Sequence, residues 1–250
     1  MSRQLELHVI AVGGIPEVSE GDRIGEVIAA HCEPGAGDVV VISHKVVSKA
    51  EGRVAALAEV EPGEEARRLA ADLGKDPALL ELILGETSEV IRAERGVIIC
   101  RTHHGFVCAH AGVDTSNVPA GFAALLPEDP DASARRIRGE IEASTGIRPA
   151  VILTDSFSRA WRLGQTEAAI GCAGLQPLDD WRGRRDRDGG ELAATLIAIA
   201  DEAAAAADLV RDKASGTPAV LVRGLERYVN IEDGPGAAVL RRPRSEDLFR

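Results

Sequence analysis

The sequence predicts an α/β protein of mixed α+β type, and it argues against a doubly wound Rossmann sheet. Short runs of Val, Ile and Leu at 38–42 and 151–154 indicate buried strands, whereas the charged periodic stretch at 131–145 indicates a helix. These elements do not alternate as regular βαβ units. No Gly-x4-Gly-Lys-Ser/Thr loop occurs, and Gly35-Ala36-Gly37 lacks the third glycine of a dinucleotide fingerprint.

The N-terminal half contains predicted strands and helices that are bounded by Gly and Pro. Each strand is a short apolar run, and each helix has apolar residues at helical spacing. In order, we predict a strand at 5–12, a helix at 24–31, a strand at 38–42, helices at 62–73 and 77–84, and a hairpin of strands 97–101 and 106–110.

The C-terminal half contains longer helices. We predict an amphipathic helix at 131–145, a buried strand at 151–154, an Ala- and Leu-rich helix at 191–210, and a last core strand at 219–222. Residues 233–250 are rich in Gly, Pro and Arg, so we predict a mobile tail there. The predicted domain therefore spans residues 1–232.

Composition excludes several classes of partner. The formal net charge is -11 and aromatic residues make up 3% of the chain, so neither a basic surface nor stacking platforms for nucleic acid are expected. No apolar run approaches the roughly 20 residues that cross a bilayer, so no membrane partner is expected. The four cysteines form no Cys-x-x-Cys pair, which favours reduced thiols and a cytoplasmic location.

Two strand ends carry clusters of oxygen-bearing side chains. The stretch 106–117 ends in Asp114-Thr115-Ser116-Asn117, and the strand at 151–154 leads into Asp155-Ser156. Carboxylate and hydroxyl oxygens are preferred ligands of Mg²⁺ and Mn²⁺, which often bridge to phosphates. We therefore expect the two ends to meet at a metal–phosphate site. The alternative is that each aspartate only stabilises a turn or caps a helix.

Cationic residues follow the strand at 38–42. Lys45, Lys49 and Arg53 are spaced by four residues, so on a helix they would share one face. Three cations beside hydroxyl groups suit a polyphosphate, and the alternative is a solvated basic face.

A second cationic pair follows Asp155. Arg159 and Arg162 lie three residues apart on either side of Trp161. One interpretation is a clamp for a phosphate or carboxylate, and the other is surface arginines that pack on the indole ring.

Short stretches of the chain resemble one known family in the same order from residue 14 to about 224. The family is coenzyme F420:L-glutamate ligase, also called F420-0:gamma-glutamyl ligase. The matching stretches are GIPEV (14–18), GD (21–22), VSKAEGR (47–53), AGVDTSNV (111–118), LPEDP (126–130), AIG (169–171), ADEAAAA (200–206) and PAVLVRG (218–224).

The resemblance implies a GTP-dependent acid–amino-acid ligase. GTP would phosphorylate the phospholactyl carboxylate of the deazaflavin precursor F420-0, and L-glutamate would attack the acyl phosphate; a second glutamate would join by gamma linkage. It also implies two intertwined subdomains, a homodimer, two Mg²⁺ or Mn²⁺ ions per subunit, and a monovalent cation such as K⁺.

The resemblance also implies roles for individual residues, although it names no general base. Metal positions match Asp114, Asp155 and Ser156. Nucleotide-contacting positions match Ile15, Pro16, Glu17, Val18, His44, Lys45, Lys49, Asn117, Arg211, Asp212, Lys213, Ala214, Ser215 and Gly216.

This chain departs from the family pattern at three positions. Ser158 stands where the family usually has glycine, His110 where it often has asparagine, and Lys213 near an acidic metal ligand of some members. The alternative functions are a metal-dependent phosphohydrolase, a ligase with another acceptor, or a GTP-binding partner without catalysis. Ser158 is the one residue that hints at a GTP-binding partner without catalysis.

Overall fold

The computed structural model describes residues 5–211 and 216–248, and it confirms the mixed α+β prediction. Helices and strands are interspersed along the chain, and short 3-10 turns connect some of them. The helices are α1 (Ile24–Ala29), α2 (His44–Ala50), α3 (Glu64–Leu73), α4 (Pro77–Gly85), α5 (Pro130–Thr145) and α6 (Ile199–Asp208). The strands are β1 (His8–Val12), β2 (Val39–Ser43), β3 (Val54–Ala56), β4 (Thr87–Glu94), β5 (Val97–Thr102), β6 (Val107–Ala109), β7 (Phe122–Ala124), β8 (Ala150–Ser158), β9 (Gln165–Ala173), β10 (Asp179–Asp180), β11 (Leu196–Ile197) and β12 (Ala219–Arg223).

A five-stranded sheet with the order β1-β12-β2-β8-β9 forms the centre of the protein. Strands β2 and β8 are parallel, and the other neighbouring pairs are antiparallel. The register pairs Ser43 with Thr154, so the carboxyl end of β2 lies beside the segment that leads to Asp155. Ligands in α/β proteins commonly bind at such carboxyl ends.

Strand alternation gives this sheet an apolar core on each face. Val40, Ile42 and Leu153 pack with residues of α1 and α5 on one face. On the other face, Val41 and Ile152 pack with residues of α6. Both faces of the sheet are therefore buried. The carboxyl ends of its strands are left available for a ligand site.

Residues 54–125 form a second group of elements with its own core. Helices α3 and α4 pack on the sheet β4-β5-β6, while β3 pairs with β7. The chain enters this group after Arg53 and leaves it at Leu125, and the amide of Leu125 donates to the carbonyl of Arg53 at 2.9 Å. The guanidinium of Arg53 also binds the carbonyl of Leu126 and the carboxylate of Glu86, at 3.0 and 2.7 Å. Arg53 is thus a structural bridge.

Several sequence predictions agree closely with the structure. Helix α5 begins after Asp129, whose side chain accepts from the amide of Ala132, and ends at Gly146 in the left-handed conformation. Strands β5 and β6 pair antiparallel, as the hairpin prediction requires. The local signals were strong here because a helix cap, a proline at the first turn and a C-terminal glycine all agree.

The structure differs from the predicted elements in three places. The helix predicted at 191–210 spans only Ile199–Asp208, because the preceding residues make backbone hydrogen bonds with 181–184, such as Trp181 N–H to the carbonyl of Thr195 at 3.0 Å. The strand predicted at 151–154 extends to Ser158 and pairs with β9, which was missed, as was β4. In the helix α2, only two of the three predicted cations share a face, because it ends at Ala50, before Arg53.

The start of the predicted tail packs against the rest of the protein. The carboxylate of Asp233 pairs with the fully buried Arg138 at 2.7 Å, and Ala237 is fully buried. Mobility of residues 233–250 stays a prediction. Within the described residues, no helix is both long and apolar enough to cross a membrane.

Candidate functional site

A cavity of about 480 Å³ lies at the carboxyl end of β2 and β8. Its walls come from the loop after β1, from α2, from the segment after β6, from the β8–β9 hairpin and from the residues around α6 and β12. The predicted site residues that line it are Ile15, Pro16, Glu17, Val18, Lys45, Lys49, Asn117, Asp155, Ser156, Arg211 and Gly216.

The remaining predicted residues have different positions. His44 and Asp114 do not line the cavity. However, His44 contacts Asp155 and Asp114 contacts Lys45, and both of these partners line it. The predicted contacts at Asp212, Lys213, Ala214 and Ser215 lie outside the described residues.

Helix α2 directs two lysines toward the cavity. Lys45 and Lys49 are four residues apart, so they lie on one helical face. The ammonium of Lys45 contacts Asp114 Oδ2 and Ser116 Oγ, both at 2.6 Å. The ammonium of Lys49 contacts Glu17 Oε1 at 2.5 Å. Each lysine is therefore held by an acidic residue from another segment.

Asp114 follows a turn in a conformation that side chains rarely adopt. His110, Ala111 and Gly112 all have positive φ, at 55°, 53° and 76°. The Asp114 carboxylate accepts from the amide and hydroxyl of Ser116, at 2.7 and 3.0 Å. Burial raises the pKa of Asp114, but hydrogen bonds from Lys45 and Ser116 outweigh burial, and the net pKa lies below the usual value of 3.8. The carboxylate is therefore ionised and already bound to a cation.

Asp155 contacts His44, the first residue of α2. Its Oδ1 lies 3.4 Å from Nε2 of His44 and accepts from the amide of Ser156 at 2.8 Å. His44 is 1% exposed, and its Nδ1 pairs with Ser48 Oγ at 3.2 Å. Asp155 and Asp114 therefore contact consecutive residues, His44 and Lys45, so both strand ends reach the first turn of α2.

Glu167 is a buried acid in the cavity wall that sequence reasoning missed. It is 5% exposed, and it pairs across the β8–β9 ladder with Ser156. Its Oε1 accepts from Ser156 Oγ at 2.5 Å, and its Oε2 accepts from Nη1 of Arg211 at 3.2 Å. Because β9 was not recognised in the sequence, no local signal pointed to Glu167.

Arg211 links this acid to the sheet. Its Nη1 also donates to Thr154 Oγ1 at 3.1 Å. Its buried Nε and Nη2 find no hydrogen-bond partner among residues 5–211 and 216–248. Burial lowers the pKa of Arg211, although Glu167 and Asp208 act to raise it. A buried guanidinium with unused donors is suited to an anionic ligand.

The oxygen-bearing side chains of the cavity wall can hold a hard divalent cation only if a bound ligand supplies further oxygen atoms. Among the described residues, no group of three or more His, Cys, Asp or Glu side chains is arranged to hold a metal ion. Asp155, Ser156 and Glu167 nevertheless offer carboxylate and hydroxyl oxygens in one cavity wall. Mg²⁺ is commonly bound by one or two carboxylates together with water and substrate phosphates. These residues fit that arrangement.

Comparison with known proteins gives consistent results over almost the whole chain. The family model described as F420-0:Gamma-glutamyl ligase matches residues 14–224. A protein of Methanothermobacter thermautotrophicus named Coenzyme F420:L-glutamate ligase is 44% identical over 250 residues, with 98% of this chain and 99% of the relative covered. Proteins with the same name from Methanopyrus kandleri and Haloarcula marismortui are 45% and 42% identical, covering 94% and 98% of this chain and 94% and 96% of the relatives.

Proposed function

The chain belongs to the F420-0:gamma-glutamyl ligase family, and from this premise we propose that it joins L-glutamate to F420-0 with GTP as the phosphoryl donor. The reaction extends the phospholactyl carboxylate of F420-0 and then adds a second glutamate by gamma linkage. One observation supports the proposal most strongly: segments far apart in sequence converge on one cavity that carries both cations and buried carboxylates.

The triphosphate of GTP is proposed to bind beside Lys45, Lys49 and Arg211. Cationic side chains in a partly enclosed site offset the charge on the phosphates, and this effect is stronger than in water. The ion pairs of Lys45 and Lys49 with Asp114 and Glu17 must loosen when the nucleotide binds. We propose nucleotide contacts at Ile15, Pro16, Glu17, Val18, His44, Lys45, Lys49, Asn117, and the segment Arg211, Asp212, Lys213, Ala214, Ser215 and Gly216.

The chemical course has two steps. An oxygen of the acceptor carboxylate attacks the γ-phosphorus, the bond to the β-phosphate bridging oxygen breaks, and GDP leaves with that electron pair. The amine of L-glutamate then attacks the carbonyl carbon of the acyl phosphate, inorganic phosphate leaves, and the nitrogen loses a proton. The protein contributes mainly alignment of the reactants and charge stabilisation.

Asp114, Asp155 and Ser156 are the proposed ligands of two Mg²⁺ or Mn²⁺ ions per subunit. When bound, the ions neutralise charge that develops on the transferred phosphoryl group. The oxygen donors of Asp155 and Ser156 in the cavity wall fit such ions when phosphate oxygens complete the coordination, and Asp114 lies beside the wall through its contact with Lys45. A monovalent cation such as K⁺ is also part of the proposal.

The proposed assembly is a homodimer. The strands β4, β5 and β6 expose apolar side chains, including Ile91, Val97 and Val107. Such side chains on one sheet suit contact with a second copy. Light scattering coupled to size-exclusion chromatography measures the mass in solution, and a monomer at micromolar concentration would contradict this part of the proposal.

A reconstituted reaction tests the function. Purified protein is incubated with F420-0, L-glutamate, GTP and Mn²⁺, while mass spectrometry follows the glutamyl products and chromatography follows GDP. We expect one GDP for each glutamate added, and no transfer with ATP or after chelation of the metal. GTP hydrolysis without glutamate transfer would indicate a phosphohydrolase instead, and GTP binding without turnover would indicate an inactive partner.

A further inference from the structure

The loop between β8 and β9 exposes large apolar side chains beside the cavity. We call residues 159–164 the hairpin tip, since β8 ends at Ser158 and β9 begins at Gln165. Within it, Trp161 is 74% exposed and Leu163 is 99% exposed. An indole and a leucine side chain so exposed and so close in sequence are more typical of a binding surface than of scattered surface residues.

The backbone of the hairpin tip has a defined conformation. The amide of Arg162 donates to the carbonyl of Arg159 at 3.4 Å, and the Arg159 guanidinium donates to the carbonyl of Leu163 at 3.0 Å. Trp161 has a φ of 62° in the left-handed region, which is unusual for a bulky residue. Such strain tends to occur at ligand sites. The tip therefore combines a left-handed backbone at Trp161 with a side chain that is largely exposed.

The same hairpin supplies part of the cavity wall. Asp155 and Ser156 on β8 and Glu167 on β9 all line the cavity. Because a strand rises about 3.3 Å per residue, Ser158 lies roughly 7 Å along the strand from Ser156. The hairpin tip therefore begins a short distance from the reacting region.

Volume limits what the cavity can hold. A cavity of about 480 Å³ has the size that suits one ligand of drug-like dimensions. In the proposed function, GTP occupies it, so the acceptor can bring only its carboxylate arm to the nucleotide. The flat ring system of the acceptor must then bind outside the cavity, on a surface that is near the carboxylates and favourable to an aromatic ring.

We propose that the hairpin tip is the binding site for the acceptor, an inference that rests on the proposed function. Trp161 stacks on the flat ring, and Arg162, which is exposed next to it, pairs with the anionic arm. Leu163 adds apolar contact area at the ring edge. Trp161 and Arg162 act on acceptor affinity, and GTP binding does not depend on them.

The second tryptophan provides a matched control. The chain has two tryptophans. The indole N–H of Trp181 donates to Asp179 Oδ2 at 2.8 Å, and the guanidinium of Arg184 lies 4.9 Å from the centre of its ring. Trp181 does not line the cavity. We therefore expect W181F to bind the acceptor as the wild type does.

Equilibrium dialysis tests the proposal without requiring turnover. The dissociation constant for F420-0 is measured without glutamate, with and without GDP, for wild type, W161A, W161F, R162A and W181F. We expect W161A to raise it about tenfold, W161F less than about threefold and R162A about fivefold, as loss of a stacking or charge-assisted contact predicts. The dissociation constant for GDP and the midpoint of thermal unfolding should stay unchanged in W161A.

The outcomes separate the inference from the proposed function. If W161A and R162A both bind F420-0 as tightly as wild type, or if wild type does not bind it with or without GDP, the hairpin tip is not the acceptor site. If binding depends on Trp161 but wild type transfers no glutamate, the ligase proposal fails while the binding site stands. A change of oligomeric state in W161A at unchanged acceptor affinity would assign the tip to a protein interface and overturn the inference.

Discussion

Three cationic residues at the site are held in charge pairs with acidic residues. Lys45 is paired with Asp114, Lys49 with Glu17, and Arg211 with Glu167. Each of these three cations therefore has an acidic partner from another segment of the chain. If GTP binds with metal ions as proposed, we expect its phosphates to take over Lys45 and Lys49 and the ions to take over the carboxylates.

Replacing either aspartate should stop the reaction without unfolding the protein. D155N and D114N keep the side-chain shape but remove the charge that a divalent cation needs. We expect glutamyl transfer to fall by about 10²-fold or more, the size of effect seen when one charge-stabilising group is lost. The rate is measured by mass spectrometry, and circular dichroism checks the fold.

A matched control exists for the aspartate variants. Asp180, the second residue of β10, pairs with the exposed Arg182 and does not line the cavity. D180N should keep the wild-type rate. Near-normal transfer by D114N or D155N would remove that residue from the proposed metal site.

Replacing Lys49 should weaken nucleotide binding. K49A removes a cation that lines the cavity, and a hydrogen bond between charged groups contributes about 1.5–3 kcal/mol. We therefore expect the dissociation constant for GTP to rise roughly tenfold or more. Isothermal titration calorimetry measures the constant, with K75A, which lies outside the cavity wall, as the control. An unchanged constant in K49A would exclude this role for the lysine.

At the scale of elements, helices α1 and α5 pack very closely against each other. Helix α1 lies so near α5 that a Cβ added at Gly25 would come within 2.4 Å of Glu140 Cβ and 2.5 Å of the Ile137 carbonyl oxygen. The amide of Gly25 also donates to the buried carboxylate of Glu140 at 2.8 Å. Glycine at this position is required by space, since its backbone must approach the neighbouring helix.

The variants G25A and G139A should change stability in opposite directions. G25A forces the two helices apart, and we expect the free energy of unfolding to fall by about 3 kcal/mol, in the upper range for overpacking. Gly139, inside α5, has no atom within 4 Å of an added Cβ. G139A should therefore stabilise by about 0.5–1 kcal/mol through helix propensity. Urea denaturation measures both, and equal stability of G25A and wild type would contradict the close approach.

Sequence reasoning about elements succeeded where the local signal and the tertiary environment agree. Helix α5 has its cap, proline and terminal glycine in the sequence, and the strand at 38–42 is apolar because both faces of the sheet are covered. The stretch 191–198 has helical composition, but its backbone pairs with 179–185. Strand β9 was missed because small residues and Glu167 interrupt its apolar pattern.

At the scale of the whole molecule, one buried arginine ties the C-terminal segment to α5. Arg138 is fully buried and donates to the carbonyls of Pro149, Asn230 and Ile231 as well as to Asp233. Burial raises the pKa of Asp233, but the hydrogen bonds from Arg138 and Arg148 prevail, and the net pKa lies below 3.8. The buried guanidinium of Arg138 thus links the segment after Tyr228 to helix α5.

The contact between Arg138 and Asp233 should make the free energy of unfolding depend on pH in the acid range. Because the folded pKa of Asp233 is depressed, its contribution is complete above the unfolded value and is lost as pH falls through the folded value. D233N leaves Arg138 without its anionic partner, so we expect the free energy of unfolding at neutral pH to fall by about 1–3 kcal/mol. Urea denaturation between about pH 5 and pH 2 should show a smaller loss of stability in the variant. An identical pH profile in both proteins would contradict this role.

The sequence by itself determined the mixed α+β class, the helices with clear caps, and the residue types gathered at the two strand ends before Asp114 and Asp155. Those features depend on local periodicity and turn chemistry, which neighbouring residues carry. Only the tertiary structure decided that Glu167 faces Ser156, that Arg53 bridges two groups of elements, and that His44 and Lys45 each contact one of the two aspartates. The physical reason is that strand register and helix packing are set by contacts between distant segments, which no local pattern records.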